Sequence, residues 1–69
     1  MENIKINTEY IKLDQFLKWC GVAESGSEAK EIIKNGMVKV NGETELRRGK
    51  KLRDGDLVEV RGKEFKIYN

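Results

Sequence analysis

One cysteine and no histidine in a chain of 69 residues remove the covalent and metal staples with which small domains commonly hold themselves together. Cys20 has no partner for an internal disulfide, cannot build a zinc knuckle alone, and reads as a small core residue. Imidazole acid/base chemistry is excluded along with the histidines. The fold must rest on apolar packing, and at this length folding removes only about 60% of the surface that the unfolded chain exposes. The core is therefore small: one domain over residues 1–69, without a deep pocket for a small-molecule substrate or a cofactor. Met1-Glu2-Asn3 lacks the basic and apolar regions of a signal peptide, and no apolar run approaches the roughly 18 residues of a membrane helix. The expected setting is the cytoplasm, with no membrane partner.

Apolar periodicity locates the elements. Ile4-Lys5-Ile6 alternates like a short strand. Leu13, Phe16, Leu17 and Cys20 fall on one face of a helix over Lys12 to Cys20, with Gly21 as its stop. Ser25 and Glu28 have the spacing of a capping box, and Ala29, Ile32 and Ile33 form the stripe of a second helix that Asn35-Gly36 should end. Its flanks differ in sign: Lys30 and Lys34 project on one side, Glu28 and Glu31 on the other. Met37-Val38-Lys39-Val40 and Glu43-Thr44-Glu45 flank the hairpin signal Asn41-Gly42. Asp54-Gly55-Asp56 is a turn, and the alternating runs Leu57 to Val60 and Glu64 to Ile67 make a final hairpin about Arg61-Gly62-Lys63. The fold class is α+β, two packed helices followed by a small, mostly antiparallel sheet.

Charge is nearly balanced over the chain, 14 basic against 12 acidic residues, but it is unevenly spread. The octet from Leu46 to Arg53 holds Arg47, Arg48, Lys50, Lys51 and Arg53 and no acid; outside it, acids outnumber bases. Five cations on a rigid turn can neutralise several phosphates and release their counterions, with Arg adding paired hydrogen bonds. The bland alternative is a solvated loop, although uncompensated like charges repel and are usually diluted by acids. The start of the second helix adds free N–H groups and a positive dipole end beside Lys30 and Lys34. Tyr10 and Tyr68 lie outside the octet in sequence, so the aromatic interleaving of a single-strand stacking platform is missing and shape-directed binding fits better. Trp19, off the main stripe of the first helix, is expected to pack on Phe65 or Ile67.

The order of helix, short loop, helix and turn-rich sheet resembles the S4 RNA-binding domain. The resemblance is carried by Lys12-Leu13-Asp14, Leu17, Gly21, Ser25, Ala29, Ile33, Gly36-Met37-Val38, Val40-Asn41-Gly42, and Gly55-Asp56 before Val58 and Val60. Gly26 stands where the family usually has Arg after the capping Ser. This departure and the basic octet resemble the small stand-alone bacterial branch, in which no enzymatic domain is attached. The resemblance implies an S4-like (alpha-L) fold and a non-enzymatic protein that binds structured RNA, ribosomal RNA above all, in ribosome assembly, translation or its quality control. It points to Lys12, Ser25, Lys30, Lys34, Lys39, Asn41 and the octet as contacts, and to Gly26 as a place where a phosphate can approach the backbone closely.

Two other classes compete. A DNA-binding helix-turn-helix would use the helix after Ser25 for recognition and the later hairpin as a wing, but that helix has a mixed-sign surface. A protein-binding adaptor would use Trp19 or the edge from Phe65 to Tyr68. An enzyme has least support, since Asp14, Asp54 and Asp56 have no visible partner in an acid/base or metal arrangement.

Overall fold

The computed structural model describes all 69 residues. The chain runs β1 (Glu2–Lys5), β2 (Ile11–Lys12), α1 (Leu13–Trp19), α2 (Gly26–Lys34), β3 (Val38–Val40), β4 (Glu43–Thr44), β5 (Lys51–Leu52), β6 (Leu57–Val60) and β7 (Lys63–Tyr68). No helix is long and apolar enough to cross a membrane.

The two helical stripes are the buried ones. Leu13, Phe16 and Leu17 of α1 and Ala29, Ile32 and Ile33 of α2 all turn inward. Opposite them lies a five-stranded sheet in the order β1-β7-β6-β3-β4. Alternation sets its inner face: Val38, Val40, Val58, Val60, Phe65 and Ile67 are buried, and the residues between them are more exposed. The layers meet edge to face at Phe16 and Phe65, ring centroids 5.8 Å apart. Fifteen residues make one apolar cluster with no buried polar side chain in it. Trp19 is outside this cluster. Contrary to expectation it is 60% exposed, because Phe16, one turn earlier, already covers Phe65.

The sheet is antiparallel except where β1 pairs parallel with β7, Ile4 opposite Ile67. Parallel neighbours need a long crossover, and here the whole domain supplies it. The first strand ends one residue sooner than the sequence suggests; Ile6 follows it, buried, with its N–H donating to the Tyr68 carbonyl at 2.8 Å. A second, two-stranded sheet pairs β2 with β5, Ile11 opposite Leu52 and Lys12 opposite Lys51. Periodicity does not reveal it, since two residues carry no period.

The left-handed stop after α2 falls on Gly36 alone. Asn35 keeps a right-handed φ of −80°, whereas Gly36 has φ +73°, and the N–H groups of Gly36 and Met37 donate to the carbonyls of Ile33 and Ile32. Gly36→Val forces a β-branched residue into that region, so a loss of roughly 1–2 kcal/mol or more is expected. Thermal unfolding checks it, and an unchanged melting temperature contradicts it.

Candidate nucleic-acid interface

The basic octet is not a free loop. The N–H groups of Leu13 and Asp14, at the start of α1, donate to the carbonyls of Lys50 at 2.8 Å and Arg48 at 3.1 Å. These donors have no partner within the helix, so the octet supplies what a capping side chain would; Lys12 at the N-cap makes no side-chain cap. A tight turn closes inside the octet, Lys50 N–H to Arg47 carbonyl at 3.2 Å. Leu52, fully buried, fixes the far end, while Leu46 at the near end is 62% exposed.

This anchoring displays the charges. Arg47, Gly49, Lys50, Lys51 and Arg53 line one shallow hollow with no acidic or apolar side chain in its wall. Lys12 joins them through the β2–β5 pair, where it stands directly opposite Lys51. Like charges facing one another across strands repel, so burial of Leu52, opposite Ile11 in the same strand pair, holds the two lysines together against their own repulsion. Lys12, Arg48, Lys50 and Lys51 have no carboxylate within 4 Å; Arg47 pairs with Glu45 at 3.1 Å and Arg53 with Glu9 at 3.5 Å.

Aromatic character, missing from the octet in sequence, is supplied in space. Lys51 Nζ lies 4.9 Å from the centroid of the Tyr10 ring and the Arg53 guanidinium 5.5 Å from it. Sequence reasoning missed Tyr10, and only the β2–β5 pairing could have recovered it.

Of the two acids paired with octet cations, Glu45 is held the more closely. Its carboxylate accepts from both Nε and the backbone N–H of Arg47, each at 3.1 Å. The Arg47 side-chain hydrogen bond holds the Glu45 carboxyl below the usual range, and the same bond pushes Arg47 further up. A depressed carboxyl stabilises the fold fully above its ordinary value of 4.5, and that contribution is lost as the pH falls through the lower folded value. Glu45→Gln removes the acid from the rim and frees Arg47. Affinity for a polyanion is then expected to rise about two- to fivefold at low salt, measured by titration with RNA; a fall would mean that Glu45 chiefly orders the turn.

The remaining sequence candidates stand apart from this cluster. Asn41 has φ +52° in the β3–β4 turn; its amide is engaged at both ends, Oδ1 accepting from Leu57 N–H at 2.9 Å and Nδ2 donating to Asp56 at 3.1 Å. Its hairpin nonetheless borders the octet, sharing a hollow with Arg47 and Lys50. Lys39 lies on the outer face of the sheet opposite Glu59, which in turn faces Glu64. Lys30 and Lys34 are exposed on α2 and make no hydrogen bond or ion pair with the octet.

At the start of α2, Ser25 Oγ accepts from Glu28 N–H at 3.1 Å, and Glu28 reaches back to the N–H of Glu24, one residue before the expected partner. A carboxylate thus already complements the helix dipole that was expected to favour phosphate. Gly26 has ordinary helical backbone there and open space about its Cβ position, so nothing local demands glycine. The turn Asp54-Gly55-Asp56 is clasped to β7 through Gly55 N–H to Ile67 and Ile67 N–H to Asp56, and Asp56 also accepts from Arg53 N–H at 2.8 Å. These acids are structural. Cys20 is half-buried at the end of α1, its thiol donating weakly to the Leu17 carbonyl, and burial pushes its pKa up, which favours the unreactive thiol.

Known proteins share this fold. The S4 domain family model matches residues 4–68. A protein of Bacillus subtilis (strain 168), described as a probable ribosome maturation protein, RlbA, is 46% identical over 67 residues, which is 96% of this chain and 94% of that one. The solution structure of YbcJ from E. coli, described as having an alpha-L motif involved in RNA binding, superposes with a TM-score of 0.76 at 31% identity, covering all of this chain and 89% of the other. The 30S ribosomal protein S4e from Thermoplasma acidophilum shares the fold, with a TM-score of 0.66 at 23% identity over 87% of this chain and 32% of that one. With a family match across nearly its whole length, the chain belongs to the S4 domain family.

Proposed function

We propose that this protein is a non-enzymatic RNA-binding domain whose target is structured RNA, ribosomal RNA in particular, in the maturation or working of the ribosome in the cytoplasm. The observation that carries the reading is the anchored octet. Backbone hydrogen bonds to α1 hold Arg48 and Lys50 in place, and β-pairing sets Lys51 against Lys12, so cations without acidic partners are presented together on a backbone that is already ordered. Phosphates at this surface release counterions, and the folded shape of the RNA sets which phosphates reach it. The ribosome maturation relative and the RNA-binding motif of the structural neighbour support the same reading. Residues 1–69 act as one unit in it. Lys12, Arg47, Arg48, Lys50, Lys51 and Arg53 make the principal contacts, and Ser25, Gly26, Lys30, Lys34, Lys39 and Asn41 are secondary.

The helix-turn-helix alternative requires α2 to enter a DNA groove. Glu28 and Glu31 lie on that helix, and the dense positive charge is gathered instead at the start of α1. A structured ribosomal RNA fragment and a DNA duplex of equal length, titrated at one salt concentration, separate the two. RNA is expected to bind more tightly; equal or tighter binding of the duplex, with protection of a palindromic site, would overturn the RNA reading.

A further inference from the structure

A second surface feature adjoins the basic cluster and is not explained by phosphate binding. Ile6, Tyr10, Ile11, Lys12, Gln15 and Trp19 line an open hollow of about 450 Å³ with a mainly apolar interior. One wall is a face of α1, since Gln15 and Trp19 are four residues apart and stack one turn above the other. The floor is buried Ile6, and the other wall is the segment leading through Tyr10 into β2. Trp19 is 60% exposed, yet its indole is held: Nε1 donates to the Lys5 carbonyl at 3.3 Å. Trp19 thus offers solvent a large aromatic side chain whose orientation is fixed.

We propose that this hollow is a nucleobase site, in which an unpaired base of the bound RNA stacks on Trp19 while its flanking phosphates lie against Lys12 and Lys51. The inference rests on the RNA-binding reading and names what that RNA must offer beyond its backbone. Charge decides the occupant. Lys12 belongs both to the hollow and to the strand pair that places it opposite Lys51, and Tyr10 stands between the hollow and the cations of Lys51 and Arg53. Glu9 offsets Arg53 in part, but no carboxylate lines the hollow. An occupant must therefore be flat and apolar on its faces and anionic at its margin. A nucleotide has that combination; an apolar protein side chain leaves the lysines unanswered. The exposed amide of Gln15 can meet the edge of the base.

The test uses the whole protein and two hairpin RNAs of equal length and charge, one with a single bulged adenosine and the other with an abasic ribose at the same position. Because Trp19 is the only tryptophan, its fluorescence reports on the site directly. The bulged adenosine is expected to quench the emission and to bind about 5- to 100-fold more tightly than the abasic hairpin. Trp19→Ala is expected to abolish that difference while leaving affinity for the abasic hairpin and its salt slope unchanged. Trp19→Phe should retain most of the difference, and circular dichroism confirms that each variant folds. If the wild-type protein binds both hairpins equally with a normal salt slope, the base site is overturned, phosphate binding stands, and the indole is left to a protein partner. If neither hairpin binds even at low salt, the RNA reading itself fails.

Discussion

Replacing Arg47, Arg48, Lys50 and Lys51 together by Gln is expected to leave the fold standing while affinity for structured RNA falls by orders of magnitude at low salt. The fold survives because the octet is attached through its backbone: Leu13 and Asp14 donate to carbonyls that the substitutions do not touch, and Leu52 stays buried. What is lost locally is small. The Arg47–Glu45 pair is exposed on the arginine side and screened by solvent, and the Lys51–Tyr10 contact also lies at the surface. The loss in binding is large because each phosphate contact removed lowers the slope of log affinity against log salt by roughly 0.7–0.9. Restoring Lys at all four positions should recover most of the slope, with less recovery of affinity wherever Arg makes paired hydrogen bonds. A folded variant with unchanged affinity and slope would return the octet to a solvated loop.

The parts of this molecule that were legible in the sequence are those whose signal is local. The stripes Leu13-Phe16-Leu17 and Ala29-Ile32-Ile33 repeat often enough to name a helix and its buried face, and Asn41-Gly42 needs only its own backbone preference to make a turn. The octet was legible as charge. Its setting was not, because the bonds that hold it join residues far apart in the chain, Lys50 to Leu13 and Lys51 to Lys12. The same long-range pairing brings Tyr10 beneath Lys51. Lys39 shows the same limit: its strand was legible, but only the register reveals that Glu59 is its neighbour across the sheet. At the start of α2 the sequence located the cap but not its full bonding. The capping box that located the helix also carries the Glu28 carboxylate, which complements the dipole otherwise free for phosphate.

The octet contains a further comparison, between its own two leucines. Leu52→Ala is expected to destabilise the domain by about 2–5 kcal/mol, since the side chain is fully buried and its removal leaves a cavity that a small, tightly packed core cannot close. A domain of this length has only about 3–10 kcal/mol of stability in total, so the melting temperature should drop by at least about 10 °C. Leu46→Ala, at the exposed end of the same octet, should change it by no more than about 0.5 kcal/mol. Binding should divide in the same way. Leu52 lies opposite Ile11 in the strand pair that sets Lys51 against Lys12, so loosening it loosens the charge cluster, and RNA affinity should weaken even at temperatures where the variant is folded. Added RNA should raise the melting temperature of both variants, by less for Leu52→Ala, because a ligand stabilises in proportion to how well it binds the native state. Equal melting temperatures for the two would show that β5 is not seated in the core, and that backbone bonds to α1 alone hold the basic surface in place.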